Sequence, residues 1–104
     1  MSETLKPLKY FEFGDCEEKA RLYPDTFEIP SKQEIADLKV GDYVKLIFVH
    51  SPTERMWVKI DAIYNNHSFT GSLANDPIFI HMVKYGDRFA FHAKHIANIL
   101  KDDE

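Results

Sequence analysis

The side chains here whose types could do chemistry are five histidines, one cysteine and an adjacent acid–base pair, Glu54-Arg55. A zinc site needs three or four converging donors, which usually show as paired spacings along the chain. His92 and His95 are three apart, but His50, His67 and His81 fall in separate segments, and Cys16 has no second cysteine to join it. The spacing points to no metal site, and the histidines read as partly exposed strand and turn residues. Cys16 would need a lowered pKa to act as a nucleophile. Asp15, Glu17 and Glu18 surround it with negative charge that disfavours the thiolate, and no base can be assigned to it. The chain has no glycine-rich phosphate loop, dinucleotide fingerprint or serine elbow. The expectation is a chain with no catalytic residues, no metal and no cofactor.

Glu54-Arg55 opens the most strand-like stretch, Glu54 to Ile63. Its even positions Met56, Val58, Ile60 and Ala62 are apolar, and its odd positions Arg55, Trp57, Lys59 and Asp61 are mixed. That period of two predicts a half-buried strand with the even face in the core. Glu54 and Arg55 then sit at the strand entrance, where they can orient the loop Ser51–Thr53. Trp57, the single tryptophan, falls on the outward face beside Arg55, a pairing typical of interface anchors. The binding residues expected from this pattern are Tyr43, Lys45, Glu54, Arg55, Trp57 and Lys59.

The elements that must position them follow from local signals. Asp15 is an N-cap with Glu18 as its reciprocal partner, predicting a helix from Cys16 to about Leu22 that Tyr23-Pro24 stops. Asp25 to Ile29 reads as a short extended piece. Ser31-Lys32-Gln33-Glu34 is a capping box opening about two turns of helix, which pack through Ile35 and Leu38 and end near Lys39. Val40-Gly41-Asp42 and Tyr85-Gly86-Asp87 are turn corners, each feeding an alternating strand. Further strands are predicted over Arg55–Ile63, Ser68–Ala74 and Arg88–His92, with a hairpin turn at Asn65-Asn66-His67. Ile78 to Val83 is apolar and ambiguous. Ala93 to Leu100 is a closing helix or extended segment, with Ile96, Ile99 and Leu100 on one face. The sum is α+β: a small, strongly bent antiparallel sheet, or an SH3-like or PUA-like barrel, with two or three short helices.

The 104 residues make one domain, with a loose lead over 1–14, a globular core over 15–100 and an acidic tail over 101–104. An apolar fraction of 44%, a charged fraction of 29% and a high aromatic content of 13% suit a small β-rich core. No apolar run is long enough to span a membrane, and the start lacks the pattern of a signal peptide. With a single cysteine, the expected setting is the cytoplasm. Net charge is −4, with the acidic excess in residues 1–30 and the tail, and no basic patch is visible.

Tyr23-Pro24-Asp25-Thr26-Phe27, Leu38 to Phe48, Glu54-Arg55-Met56-Trp57-Val58, Gly71 to Pro77, Lys84-Tyr85-Gly86-Asp87 and Lys94-His95-Ile96 together resemble a family of small bacterial proteins known only as a domain of unknown function. The likeness runs over most of residues 17–97. It implies a cytoplasmic bacterial protein of small-barrel type and brings no activity or catalytic residues with it. One departure is Ala74 before Asn75, where the family tends to have an acidic or polar residue; a partner touching that loop would differ accordingly. The function expected is a non-catalytic protein-binding module, regulatory or immunity-like, with another protein as partner and no membrane. Binding of single-stranded nucleic acid on exposed aromatics is the alternative, opposed by the acidic charge. A small-ligand binder or enzyme built on Glu54, Arg55 and the His92/His95 end is the third reading.

Overall fold

The computed structural model describes residues 6–65 and 67–101. The elements in chain order are β1 (Leu8–Lys9), α1 (Cys16–Leu22), α2 (Lys32–Ala36), β2 (Tyr43–Phe48), β3 (Glu54–Tyr64), β4 (Ser68–Leu73), β5 (Arg88–His92), a 3-10 turn (Ala93–His95) and β6 (Ile96–Leu100). Six strands form one sheet in the order β1-β5-β4-β3-β2-β6. Every neighbouring pair is antiparallel except β1 on β5, so the sheet is mixed. With two short helices, this is a small α+β fold.

The sheet is strongly bent but not closed. Phe48 on β2 and Phe89 on β5 have two strands between them, yet their ring centroids are 5.5 Å apart. Laid flat, three strand spacings would separate them by roughly 14 Å. Phe13 wedges edge-on against both rings, at 4.9 and 5.9 Å. The barrel alternative fails because the segment Leu8–Gly14 holds both sides of the roll without a continuous ladder. It pairs with β5 through Leu8 and Lys9 only. It then crosses to β2, where the Val49 N–H donates to the Glu12 carbonyl and the Gly14 N–H to that of Ile47, at 3.0 and 2.9 Å. Between those contacts the chain leaves the β5 edge so that Phe11 and Phe13 can reach the core.

The helix starts follow their caps. The Asp15 carboxylate accepts the Glu18 N–H at 3.0 Å, while the Glu18 carboxylate itself lies 3.7 Å from Arg21. Ser31 and Glu34 close the full reciprocal box, but α2 ends at Ala36, earlier than the periodicity predicts. The expected extended piece over 25–29 begins instead with a turn, in which the Thr26 and Phe27 N–H groups both donate to the Tyr23 carbonyl, and it forms no strand. In β3 the inward set is Met56, Val58 and Ile60, but it then switches to Ile63 and leaves Ala62 only half-buried. A bulge between Ile60 and Ala62 causes the switch, because one extra residue inverts the alternation beyond it. Opposite it, a Cβ on Gly71 would lie 2.6 Å from the Lys59 carbonyl oxygen, so the close approach of β4 requires glycine. Residues 96–100 form β6, with Leu100 exposed where a helical face would have buried it. The hairpin turn expected at Asn65-Asn66-His67 is described at Asn65, in the left-handed region (φ 49°), and at His67; Asn66 and the tail residues 102–104 lie outside the described residues.

The two Gly-Asp corners are built alike. Gly41 and Gly86 take φ values of 101° and 90°, which a side chain would strain. The Gly41 N–H donates to the Ile60 carbonyl, and the Gly86 N–H to that of Leu73. The Asp42 carboxylate accepts the Lys39 N–H at 2.9 Å and the Lys101 ammonium at 2.8 Å. The Asp87 carboxylate accepts the Lys84 N–H at 2.9 Å and the Lys9 ammonium at 2.8 Å. Each corner therefore fastens one end of the chain, through a lysine just beyond β6 or in β1.

Both carboxylates are buried, whereas the Lys9 and Lys101 side chains keep 44% and 40% of their exposure. The backbone cap should therefore outweigh the ion pair. Asp42→Ala and Asp87→Ala should each cost about 2 kcal/mol, because a backbone N–H loses its acceptor. Lys9→Ala and Lys101→Ala should each cost less than about 1 kcal/mol. Urea denaturation of the four variants checks the ranking, and equal losses on the lysine side would reverse it.

Candidate functional site

The outer face of β2 and β3 brings four of the six expected binding residues into one block. Tyr43 stands directly opposite Lys59, and Lys45 opposite Trp57, in the antiparallel register. Directly opposed residues on one face are the closest neighbours a sheet offers. The Lys45 ammonium lies over the Trp57 ring at 4.8 Å from its centroid, and that of Lys59 over the Tyr43 ring at 5.9 Å. Trp57, Tyr43 and Lys45 are half-buried, and Lys59 is exposed. The Trp57 backbone is held from the other side by β4's exit loop: its N–H donates to the Asn75 side-chain oxygen, and its carbonyl accepts the Ala74 N–H at 2.9 Å.

Arg55, one pair further along, is exposed, and its guanidinium lies 5.8 Å from the centre of the Phe27 ring. The segment around Phe27 thus flanks the block; Thr26, Phe27 and Glu28 share a cleft with Lys45 and Arg55. Asp61, the block's nearest acid on β3, accepts from the Ser72 hydroxyl at 2.8 Å and from Arg88 Nε at 3.1 Å. The exposed Arg55 and Lys59 face solvent, Lys45 is half-buried over the Trp57 ring, and the exposed Glu28 shares its cleft.

Glu54 does not join the block. Its side chain is buried on the opposite side of β3, where its two oxygens accept the N–H groups of Ile78, Phe79 and Ile80 at 2.6, 3.0 and 3.2 Å. The sequence reading placed it as an orienter of Ser51–Thr53 and as a surface binding residue; it is instead the anchor of a loop 24 residues away. That anchor resolves the ambiguous apolar run: Ile80 and Val83 enter the core, while Ile78, Phe79 and Met82 stay exposed. Burial works against the Glu54 charge, but the three backbone donors outweigh it, helped by the field of His50, and hold the carboxyl below its ordinary 4.5.

At the other end of the sheet, His67 stacks on His92 at 6.0 Å and 9°, and His95 lies edge-on to His92 at 6.4 Å. The His92 and His95 Nδ1 atoms accept the N–H groups of Lys94 and His92, so these rings cap the 3-10 turn. Burial, with the nearby Lys94 and His92, keeps the His95 pKa down. Among the described residues no group of three or more His, Cys, Asp and Glu is placed to hold a metal ion. Cys16 is fully buried, and its thiol donates to the His95 carbonyl at 3.3 Å. Burial pushes the thiol up to about 11 even though Lys19 and Arg55 pull it down, which opposes nucleophilic use. Phe27 and Asn75 shape the site from outside the strands; both fall in stretches that carry the family resemblance, but no local pattern marks their contacts with Arg55 and Trp57.

Two substitutions test this placement. Glu54 binds its proton less readily folded than unfolded, so its stabilisation is complete above about pH 4.5 and is lost as pH falls through the folded pKa. Glu54→Gln should cost about 2 kcal/mol at neutral pH and flatten the acid limb of a stability–pH curve. Trp57→Ala should cost about 1–2 kcal/mol, between a surface and a core truncation, whereas Val58→Ala should cost about 2–3 kcal/mol. Chemical denaturation of the two neighbours checks the order; a reversed order would put the Trp57 ring in the core.

No helix among the described residues is long and apolar enough to cross a membrane. Comparison with curated proteins and with solved structures found no match. A family model does match, over residues 9–101, from the second residue of β1 to the lysine that follows β6, and so takes in both corners, the Glu54 anchor and the β2–β3 block. The chain belongs to that family, described as uncharacterized protein conserved in bacteria (DUF2314).

Proposed function

We propose that this protein is a non-catalytic protein-binding module, regulatory or immunity-like, whose contact face is the outer side of β2 and β3. The observation that carries the reading is the cross-strand quartet in which Lys45 and Lys59 lie over the rings of Trp57 and Tyr43. Aromatic and arginine side chains dominate the energetics of protein interfaces, and here the rings are held by their strands before any partner arrives. Lys45, Arg55 and Lys59 give the face a positive character on a chain of net charge −4, so the partner surface is acidic. Single-stranded nucleic acid is the weaker reading, because stacking a base needs a free ring face and a lysine lies over one face of each ring. The absence of catalysis is supported by the buried, hydrogen-bonded Cys16 and by the use of Glu54 as a loop anchor. A cytoplasmic setting belongs to the same proposal.

A photo-crosslinking residue at position 59, with a control at exposed position 18 on α1, tests the reading in the native bacterium. Position 59 should give a discrete, protease-sensitive adduct that is absent from position 18 and is lost when Lys45→Glu is added. Equal adducts from both positions, or a nuclease-sensitive adduct, would sink it.

A further inference from the structure

A second site lies between α1, the Tyr23–Phe27 turn and the far end of β2. It is a cleft of about 530 Å³, within the range of small-ligand pockets, lined by Gly14, Lys19, Tyr23, Thr26, Phe27, Ile47, Val49, Thr53 and Arg55. Its lining carries two cations and no carboxylate. Among the described residues neither Lys19 nor Arg55 forms an ion pair. Both line the same cleft, Lys19 from α1 and Arg55 from the start of β3. Its apolar lining comes from Ile47, Val49 and Phe27, and Tyr23, Thr26 and Thr53 complete it.

A guanidinium packed near an aromatic ring presents a flat, forked donor set that matches a carboxylate, and a nearby ammonium adds a second charge-assisted bond. The apolar lining then has room for the body to which the carboxylate is attached. We infer that this cleft binds a carboxylate carried on an apolar or aromatic stem, gripped by Lys19 and Arg55. The same chemistry is offered by a free organic acid and by the C-terminus of a peptide ending in a large apolar residue. A bare phosphate satisfies the cations but leaves the apolar lining uncontacted, so it is the weaker fit. The inference does not rest on the β2–β3 contact face, with which the cleft shares Arg55 and the flanking Thr26 and Phe27.

The test is an amide-resonance titration of the ¹⁵N-labelled protein with phenylacetate, its neutral amide, inorganic phosphate, and a short peptide ending in phenylalanine with its C-terminus free or amidated. Phenylacetate or the free-acid peptide should shift the amides of Gly14, Thr26, Val49 and Thr53 saturably, while the neutral amide and the amidated peptide should not. Preference for the peptide identifies a chain terminus as the source; equal binding of phenylacetate identifies a free acid. Arg55→Gln and Lys19→Gln should each weaken binding about tenfold, the loss of one charge-assisted bond. Arg55→Lys should recover part of the loss, and Lys84→Gln, on the turn before β5, should leave binding unchanged. All four changes fall on exposed side chains, so the fold is retained for the comparison. No saturable shift, equal binding of acid and neutral amide, equal binding of phosphate, or an equal effect of Lys84→Gln would each overturn the inference.

Discussion

A buried carboxylate that receives a backbone N–H from three residues earlier and a lysine from a chain end occurs twice in this fold, and the sheet depends on both. Asp42 caps the turn that launches β2, and Asp87 the turn that launches β5. These are the second strands in from the two edges, and the edges are the terminal strands β6 and β1. Each aspartate ties its corner to the neighbouring edge strand through Lys101 or Lys9. A terminal strand only two residues long has little ladder of its own to hold it. β1 stays on the sheet because Lys9 reaches the Met82 carbonyl as well as Asp87, and because Phe13 is buried five residues later.

The same use of carboxylates changes what the overall charge means. Asp42, Glu54 and Asp87 are buried and engaged, and Asp61 is bound by Ser72 and Arg88. These acids count toward the net −4 but do not face a partner from the β2–β3 surface. The lysines and Arg55 of that surface remain directed outward. Net charge therefore describes the long-range field of the molecule, while the lysines and arginine of the outer β2–β3 face carry the opposite local sign.

Features fixed by neighbours in sequence were legible, and features fixed by remote partners were not. The caps at Asp15 and Ser31, the glycine corners and the alternation in β2 and β5 act over a few residues, and the structure has them where the pattern put them. The cross-strand pairing of Tyr43, Lys45, Trp57 and Lys59 was legible only as a shared outward face; the register that opposes them is a property of the two strands together. The bulge at Asp61 depends on β4, so Ala62 was placed in the core where Ile63 belongs. Glu54 looked like a surface residue because an acid beside an arginine usually is one. Its real partners are three N–H groups on a loop with no regular structure, and no local pattern marks such a loop. The choice between a bent sheet and a barrel stays open in the sequence for a related reason: closure depends on whether residues 8–14 pair along their length or divert inward, and the aromatics Phe11 and Phe13 decide for the core.

The arrangement of the β2–β3 quartet also bears on why it is a surface at all. A lysine lying over an exposed ring gains only about 0.5–1 kcal/mol, comparable to the rotamer freedom it gives up. The two lysine–ring contacts therefore add little to the stability of the sheet beyond what the half-buried rings themselves contribute. Their contribution is geometric: the antiparallel register sets each lysine opposite the ring it covers, and on the proposed protein-binding reading an incoming carboxylate draws the ammonium off. Drawing a lysine away uncovers the ring beneath it, so binding an acidic group and exposing an apolar contact become one event. A partner with alternating acidic and apolar side chains gains from both halves of that exchange, whereas a uniform polyanion gains from only one.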